Sequence, residues 1–139
     1  MQNSKPILLV EDDHVDVMTV KRALADLRVK NPLVHSTNGE EALAYLQEQG
    51  NHKPCLILLD LNMPKMNGVE LLRTIKADKV LKKIPVVVLT TSKSEKDIAE
   101  IFENGVAGYV VKPADYKKFV EAIRTINLYW ALSELPSEE

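Results

Sequence analysis

Four short apolar runs stand out along the chain, with more polar segments between them. They are ILLV at 7–10, CLILL at 55–59, IPVVVL at 84–89 and YVV at 109–111. None of them alternates apolar with polar residues, so both faces of each strand are predicted to be buried, as in a parallel sheet covered by helices. A weaker run, PLVHS at 32–36, is predicted to form a fifth strand near an edge of the sheet, because a proline opens it.

The segments that follow these runs carry apolar residues at the spacing of a helix. The predicted buried stripes are Val17, Val20, Leu24 and Leu27; Leu43 and Leu46; Leu71, Leu72 and Ile75; Ile98, Ile101 and Phe102; and Phe119, Ile123, Ile126 and Trp130. Three helices are predicted to begin with a capping-box-like pair, namely Asn38 with Glu41, Asn67 with Glu70 and Ser94 with Asp97. Strand and helix thus alternate five times, which predicts an α/β fold with a parallel sheet, right-handed crossovers and helices on both faces.

Length and composition are those of an ordinary single-domain protein. The 139 residues are 45% hydrophobic and 27% charged with a formal net charge of -2, so there is no global basic field of the kind that binds nucleic acid. The N-terminal residues MQNSK lack the apolar stretch of a signal peptide, and no apolar run is long enough to cross a membrane. The single cysteine, Cys55, is predicted to be a small buried hydrophobe. We therefore expect a cytoplasmic protein with one domain over residues 6–131, between tails at 1–5 and 132–139.

Polar residues follow the four strong runs at the points where the predicted strands end. They are Glu11, Asp12 and Asp13 after the first run, Asp60 after the second, Thr90, Thr91 and Ser92 after the third, and Lys112 after the fourth. In open parallel sheets the ligand site lies outside the carboxyl ends of the strands. We therefore expect these side chains to share one edge of the sheet.

Each of these residues has a plain structural interpretation when it is taken alone. Asp13 is expected to cap the helix that follows it, Thr90 could be a turn residue, and Lys112 could be a solvated lysine. Taken together, carboxylates at one edge repel one another by about 4 kcal/mol per pair at 4 Å and an effective dielectric near 20, so the site requires a cation. Mg²⁺ suits such a set because it takes one or two carboxylates, keeps waters and binds phosphate oxygens. Carboxylates, a hydroxyl and an ammonium group together fit phosphoryl transfer with Asp60 as the nucleophile.

Four motifs carry a resemblance to a known family, and each lies at the end of a predicted strand. They are LLVEDD at 8–13, LLDLNMPKMNG at 58–68, VVVLTTS at 86–92 and GYVVKP at 108–113. From about Lys5 to Trp130 the chain resembles the receiver domain of two-component response regulators. The resemblance implies a flavodoxin-like fold with five parallel strands in the order 2-1-3-4-5, and it implies a signalling switch controlled by phosphorylation.

The resemblance also implies a phosphoacceptor and a metal site. Asp60 matches the phosphoacceptor of the family. Glu11 and Asp12 match the acidic pair that holds Mg²⁺, Asp12 directly and Glu11 through a water molecule. Asp60 and the backbone carbonyl of Asn62 match the remaining protein ligands.

Three further residues match the switching machinery of the family. Thr90 matches the switch hydroxyl, Tyr109 the switch aromatic and Lys112 the lysine that faces the phosphoryl group. An aromatic residue in a strand is often only a part of the core, so for Tyr109 the sequence leaves both interpretations open.

Three other functions compete with the signalling switch. A Mg²⁺ phosphatase that works through an aspartyl phosphate would need a second acid at Asn62, where an amide cannot deliver a proton. A flavodoxin-like cofactor binder would need a loop rich in glycine and hydroxyl groups where the chain has Glu11, Asp12 and Asp13, which would repel a phosphate. A degenerate receiver that serves only as an interaction module disagrees with the presence of every chemical residue. We expect a protein that promotes its own phosphorylation and dephosphorylation and is not a turnover enzyme.

The resemblance implies partners as well. The phosphoryl donor is expected to be a sensor histidine kinase or a phosphotransfer protein, and neither nucleic acid nor membrane is expected. The polar tail SELPSEE follows the fifth helix, so we expect a stand-alone regulator, similar to the chemotaxis regulators, whose output is partner binding or phosphorelay. The segment INLYWAL resembles stand-alone receivers that serve phytochrome-type sensor kinases. Apolar residues off the stripe of the fifth helix predict a partner or homodimer face formed by the fourth helix, fifth strand and fifth helix.

Overall fold

A computed structural model describes residues 5–48, 50, 53–61, 68–90, 95–111 and 116–132 of the protein. Of residues 97 and 126–132 it describes the backbone only.

Five parallel strands form one sheet in the order β2-β1-β3-β4-β5. The strands are β1 (Ile7–Val10), β2 (Leu33–Ser36), β3 (Leu56–Asp60), β4 (Val86–Thr90) and β5 (Gly108–Val111). The helices are α1 (His14–Asp26), α2 (Gly39–Gln47), α3 (Gly68–Ala77), α4 (Glu95–Glu103) and α5 (Tyr116–Leu132), and a 3-10 turn spans Leu81–Lys83. The predicted alternation and strand order are both confirmed.

The two faces of the sheet bury two separate apolar layers. Along β1, Leu8 and Val10 face the layer covered by α2, α3 and α4, whereas Ile7 and Leu9 face the layer covered by α1 and α5. Each fully buried side chain of this size stabilises the fold by about 1.5–3 kcal/mol. The continuous apolar runs are therefore explained by burial on both sides, and every residue of β1, β3 and β4 is buried.

The two edge strands are less buried than the three central ones. The prediction that β2 lies at an edge is confirmed, since three of its four residues are partly or fully exposed. The prediction that both faces of the fourth run, YVV at 109–111, are buried is wrong, because no residue of β5 is fully buried. The order of the sheet accounts for this difference, because β5 lies at the edge opposite β2.

Two helices begin with side-chain caps that the sequence predicted. Asp13 caps α1, since its Oδ1 accepts hydrogen bonds from the backbone N–H of Val15 at 2.8 Å and of Asp16 at 3.2 Å. Asn38 caps α2 by accepting from the backbone N–H of Glu41 at 2.9 Å. Caps of this kind contribute about 1 kcal/mol each.

The second half of the predicted α2 capping box takes a different partner. The Glu41 carboxylate accepts hydrogen bonds from the backbone N–H of Thr37 at 3.2 Å and from its hydroxyl at 2.5 Å. Glu41 thus binds Thr37 instead of the N–H of the cap residue Asn38, and this contact connects the end of β2 with the start of α2. Asn67 and Ser94, which open the other two predicted boxes, lie outside the described residues.

Most of the predicted helical stripes are buried, with one clear exception. Buried members include Val17, Val20, Leu24, Leu46, Leu71, Leu72, Ile75, Ile101, Phe119 and Ile123. Phe102 was expected in the α4 stripe but is 50% exposed, because it lies next to Ile101 and so about 100° further around the helix. Among the α4 side chains that the structure describes, Ile101 is the buried one. The side chains of Ile126 and Trp130 lie outside the described part of α5.

Within the described ranges, no helix combines the length and apolar character needed to span a membrane.

Different contacts hold the helices of the two layers together. Between α1 and α5, the Tyr116 hydroxyl donates to the Asp26 carboxylate at 2.6 Å, and the Arg22 guanidinium lies 4.3 Å from the centre of the Tyr116 ring. Between α3 and α4, Arg73 pairs with Glu100 at 2.8 Å, with both side chains exposed. Exposed ion pairs contribute about 0–1 kcal/mol.

Cys55 lies at the amino-terminal edge of the sheet, just before β3. Its side chain is buried, and burial raises the pKa of the Cys55 thiol. Asn31 is buried beside it and donates a hydrogen bond to the backbone carbonyl of Lys5 at 2.9 Å. The prediction that Cys55 is a small buried hydrophobe is confirmed. Cys55 lies at the amino ends of the strands, whereas the acidic residues lie at their carboxyl ends.

Candidate functional site

Three carboxylates meet at the carboxyl edge of the sheet. β1 and β3 are neighbours, and their register pairs Val10 with Leu59, so Glu11 and Asp60 come next in the two strands. One carboxylate oxygen each from Glu11, Asp12 and Asp60 lies within 4.8 Å of the other two. Glu11 is 0% exposed and Asp60 is 2% exposed, whereas Asp12 is exposed. Two acids are therefore held inside the protein and the third lies at the surface beside them.

The charges of this cluster determine what it can bind. Two ionised carboxylates 4.8 Å apart repel each other by about 3.5 kcal/mol at an effective dielectric near 20, and contact with solvent weakens the repulsion from Asp12. Carboxylate oxygens prefer hard cations such as Mg²⁺ and Mn²⁺. Two buried acids and one exposed acid together offer three carboxylate oxygens to such a cation. The residues present thus fit a divalent cation.

The backbone of Glu11 is held by the end of β2. The Glu11 N–H donates to the carbonyl of Ser36 at 3.0 Å, and the Glu11 carbonyl lies 2.7 Å from Nε2 of His35. The Glu11 carboxylate also accepts a long hydrogen bond of 3.3 Å from the backbone N–H of Asp13. In the described part of the chain, no buried side-chain nitrogen or oxygen lacks a hydrogen-bond partner.

Thr90 is the last residue of β4, the strand that follows β3 in the sheet. Asp60 pairs with Leu89, so Thr90 lies one position further toward the carboxyl edge on the neighbouring strand, and it is 1% exposed. On its other side Thr90 pairs with Val111 of β5. The sheet thus places a buried hydroxyl residue beside the strand that carries Asp60.

Two of the expected site residues lie outside the described residues. They are Asn62, expected to offer a backbone carbonyl to the metal, and Lys112, expected to face the phosphoryl group. Lys112 follows Val111 in the sequence, the residue that pairs with Thr90. The roles of both residues remain predictions.

Tyr109 lies on β5 and is not a core residue. Its side chain is 36% exposed, and its ring meets that of Phe102 on α4 edge to face, with centroids 5.5 Å apart and an interplanar angle of 83°. The core interpretation of Tyr109 is therefore wrong. The two aromatic rings form a contact between α4 and β5 at the surface.

Gly68, the first residue of α3, packs against the backbone that carries the phosphoacceptor candidate. A Cβ at this position would lie 2.5 Å from the Cα of Leu61 and 2.8 Å from the carbonyl oxygen of Asp60. Gly68 closes the motif LLDLNMPKMNG, yet only the packing of α3 against the end of β3 shows why the position carries no side chain. The absence of a Cβ lets α3 pack closely against the backbone of Asp60 and Leu61.

Comparison with known proteins identifies the family of the chain. The model of the response regulator receiver domain matches residues 7–124. The chain belongs to the response regulator receiver family. Among the relatives of this receiver is the response regulator Rcp1 of Synechocystis sp., 41% identical over 130 residues that cover 91% of this chain and 88% of Rcp1.

Solved structures of similar receivers share the fold. The phosphorylated cyanobacterial phytochrome response regulator RcpA has 42% identity and a TM-score of 0.87, with 96% of this chain and 99% of that chain covered. The Mn²⁺-bound form of response regulator Rcp1 has 39% identity and a TM-score of 0.86, with 96% and 99% covered. The predicted receiver fold is confirmed.

A change at Gly68 tests the close approach of α3 to Asp60. Gly68→Ala would gain up to about 1 kcal/mol from helix propensity. The contacts at 2.5 Å and 2.8 Å are to backbone atoms that cannot rotate away, so we expect a net destabilisation of about 1–3 kcal/mol, measured by urea unfolding.

Gly108→Ala is the matched control, because a Cβ there would meet no atom within 4 Å. We expect this control to unfold within about 0.5 kcal/mol of the wild type. A Gly68→Ala protein as stable as the wild type would show that the approach is not tight.

Proposed function

We propose that the protein is a response regulator that accepts a phosphoryl group on Asp60 and changes conformation for partner binding or phosphorelay. The donor is a sensor histidine kinase or a phosphotransfer protein. The observation that carries this proposal is the meeting of Glu11, Asp12 and Asp60 at the carboxyl edge of the sheet. The receiver spans residues 6–131, which is supported by the family match over 7–124 and by α5, which continues to Leu132.

The transfer uses a carboxylate that the fold already holds in place. An Asp60 oxygen attacks the phosphorus, a P–O bond forms, and the P–N bond to the donor imidazole breaks. The leaving nitrogen keeps the electron pair of the broken bond and takes up a proton. Asp60 ends β3 in a fully buried strand, so its position does not have to be organised when the donor arrives.

The metal ligands in this proposal are Asp12, Asp60 and the Asn62 backbone carbonyl, with Glu11 acting through water. Bound Mg²⁺ would offset the negative charge that gathers on the phosphoryl oxygens. The spacing of the three carboxylates supports this choice, and the relative Rcp1 has been solved in a Mn²⁺-bound form. Lys112 is proposed to face the phosphoryl group from the β5 side.

The switch connects Asp60 to a surface through the neighbouring strands. Thr90 would turn its hydroxyl toward the phosphoryl group, and Tyr109 would respond because Thr90 and Tyr109 lie on adjacent strands. The face of α4, β5 and α5 is proposed to bind a partner or a second copy of the chain, and its exposed Phe102 and Tyr109 rings support this assignment. A phosphoryl group shifts such an equilibrium only by its different affinity for the two states.

The proposal includes where the protein works, how often it reacts and which kinase supplies the phosphoryl group. The protein works in the cytoplasm, and it is a switch that is phosphorylated once per signal, not an enzyme that turns over a substrate. A phytochrome-type sensor kinase is the proposed donor, which is supported by the likeness to the phytochrome response regulator RcpA. A degenerate receiver is the second candidate, which would neither be phosphorylated on Asp60 nor be stabilised by Mg²⁺.

Phosphorylation of Asp60 can be measured directly. With acetyl phosphate and Mg²⁺, the wild type should gain the mass of one phosphoryl group, and Asp60→Asn should gain none because an amide is a poor nucleophile. Intact-mass spectrometry gives the readout. Asp13→Asn is the control, since it keeps the helix cap and lies outside the carboxylate cluster. Equal labelling of Asp60→Asn and the wild type would assign the nucleophile to another residue.

Metal binding should stabilise the native state because it relieves the repulsion in the cluster. At a Mg²⁺ concentration about a hundredfold above Kd the gain is about 2.7 kcal/mol. This corresponds to a rise in Tm of several degrees, measured by differential scanning calorimetry. Asp12→Ala should abolish the rise, since it removes one of the carboxylates.

Asp13→Ala serves as the control for the metal experiment. It should lower the Tm of the metal-free protein, because the α1 cap is lost, and should keep the rise with Mg²⁺. A wild-type melting curve indifferent to Mg²⁺ would favour the degenerate receiver.

The output face can be tested with beryllofluoride, which mimics the phosphoryl group. We expect beryllofluoride to change the sedimentation coefficient or the amide chemical shifts of β5 in the wild type. Thr90→Val should reduce this response because it keeps the shape of the side chain and removes the hydroxyl. Phe102→Ala should keep the shifts at Asp60 and weaken any self-association. Self-association that is unchanged by Phe102→Ala would place the interface elsewhere.

A further inference from the structure

His35, on the edge strand β2, contacts the backbone of Glu11 just after β1. In the register of β1 and β2, His35 pairs with Leu9 and Ser36 pairs with Val10. The His35 ring extends beyond this register, and its Nε2 lies 2.7 Å from the carbonyl oxygen of Glu11. A carbonyl oxygen only accepts hydrogen bonds, so Nε2 must carry the hydrogen and donate it.

This contact completes the fixation of the peptide backbone at Glu11. Its N–H already donates to Ser36 of β2 at 3.0 Å, and the His35 side chain now holds its carbonyl from the same strand. The last paired residues of β1 and β2 are Val10 and Ser36, and the His35 side chain adds one hydrogen bond between the two segments beyond this pair. Both ends of the Glu11 main chain are thus tied to one strand.

We infer that His35 is a positioning residue for the metal site of the proposed function, acting through the Glu11 backbone. The Glu11 carbonyl belongs to the peptide unit that joins Glu11 to Asp12, so holding that carbonyl orients the unit from which Asp12 extends. Asp12 is exposed, and little packing constrains its direction. Removing a hydrogen-bond partner of a coordinating group typically lowers metal affinity by about 10–100-fold, and His35 acts one step further away, on the backbone that carries Asp12.

A pair of variants with the same side-chain length separates hydrogen bonding from shape. His35→Gln retains an N–H donor at a similar distance from the backbone, whereas His35→Met fills similar space without a donor. His35 is exposed, so both proteins are expected to fold. Thr37→Val is the control, because it removes the hydroxyl that binds Glu41 at the same end of β2 and does not involve Glu11.

Isothermal titration calorimetry of the full chain with Mg²⁺ alone, at one pH, measures the affinity without any phosphorylation step. We expect His35→Met to bind Mg²⁺ about tenfold more weakly than the wild type, in the lower part of the range for such partners. His35→Gln should bind within about threefold of the wild type, since it restores the donor, and Thr37→Val should be unchanged.

Each result decides the matter. Wild-type affinity in His35→Met would overturn the inference, and so would equal losses in His35→Met and His35→Gln, which would mean that only the shape of the ring matters. A loss in Thr37→Val as large as in His35→Met would assign the effect to a general loosening of β2. A wild type that binds no Mg²⁺ would overturn the proposed metal site itself, and His35 would then have no site to position.

Discussion

The close placement of two buried carboxylates, Glu11 and Asp60, is the constraint on which the functional site of this protein depends. They stand at the ends of neighbouring strands, and the parallel register prevents either strand from sliding away from the other. Buried charges require partners, because the interior does not screen them as water does. The contacts to Glu11 from β2 and from the start of α1 restrain it in this crowded position. The close spacing of these carboxylates favours the binding of a small cation.

Sheet topology explains why residues fifty positions apart in the chain share one site. A parallel sheet gathers the ends of all its strands at one edge, so the fold itself creates the meeting place, and the identity of the residues there determines the chemistry. The same architecture can serve cofactor binding when the first loop carries glycines and hydroxyls. In this protein the loop after β1 carries three acids, which exclude a phosphate unless a cation accompanies it.

Local patterns were sufficient to predict the strands and helices, because each element carries its own pattern, whereas the order of the strands came from the family resemblance. Continuous apolar runs, helical stripes and the Asp13 and Asn38 caps all depend on residues close together in the chain. Contacts between distant segments were harder to predict. The exposure of β5 depends on its place in the sheet, and the exposure of Phe102 depends on how α4 is rotated about its axis. The candidate acids were predicted from strand ends, whereas the contacts of Gly68 and His35 depend on docking and register, which leave no local pattern.

The uneven anchoring of the helices has a mechanical consequence. α1 and α5 are joined by a hydrogen bond and a cation–π contact, and α5 also buries Phe119 and Ile123. α4 is attached by the exposed ion pair between Arg73 and Glu100, by the partly exposed contact of Phe102 with Tyr109 and, among its described side chains, by the burial of Ile101. Releasing one such side chain costs about 1.5–3 kcal/mol, comparable to the few kcal/mol that separate the two states of a typical protein switch. On its layer of the sheet, α4 is therefore held by fewer buried side chains than α3, and a small change in free energy is enough to shift its position.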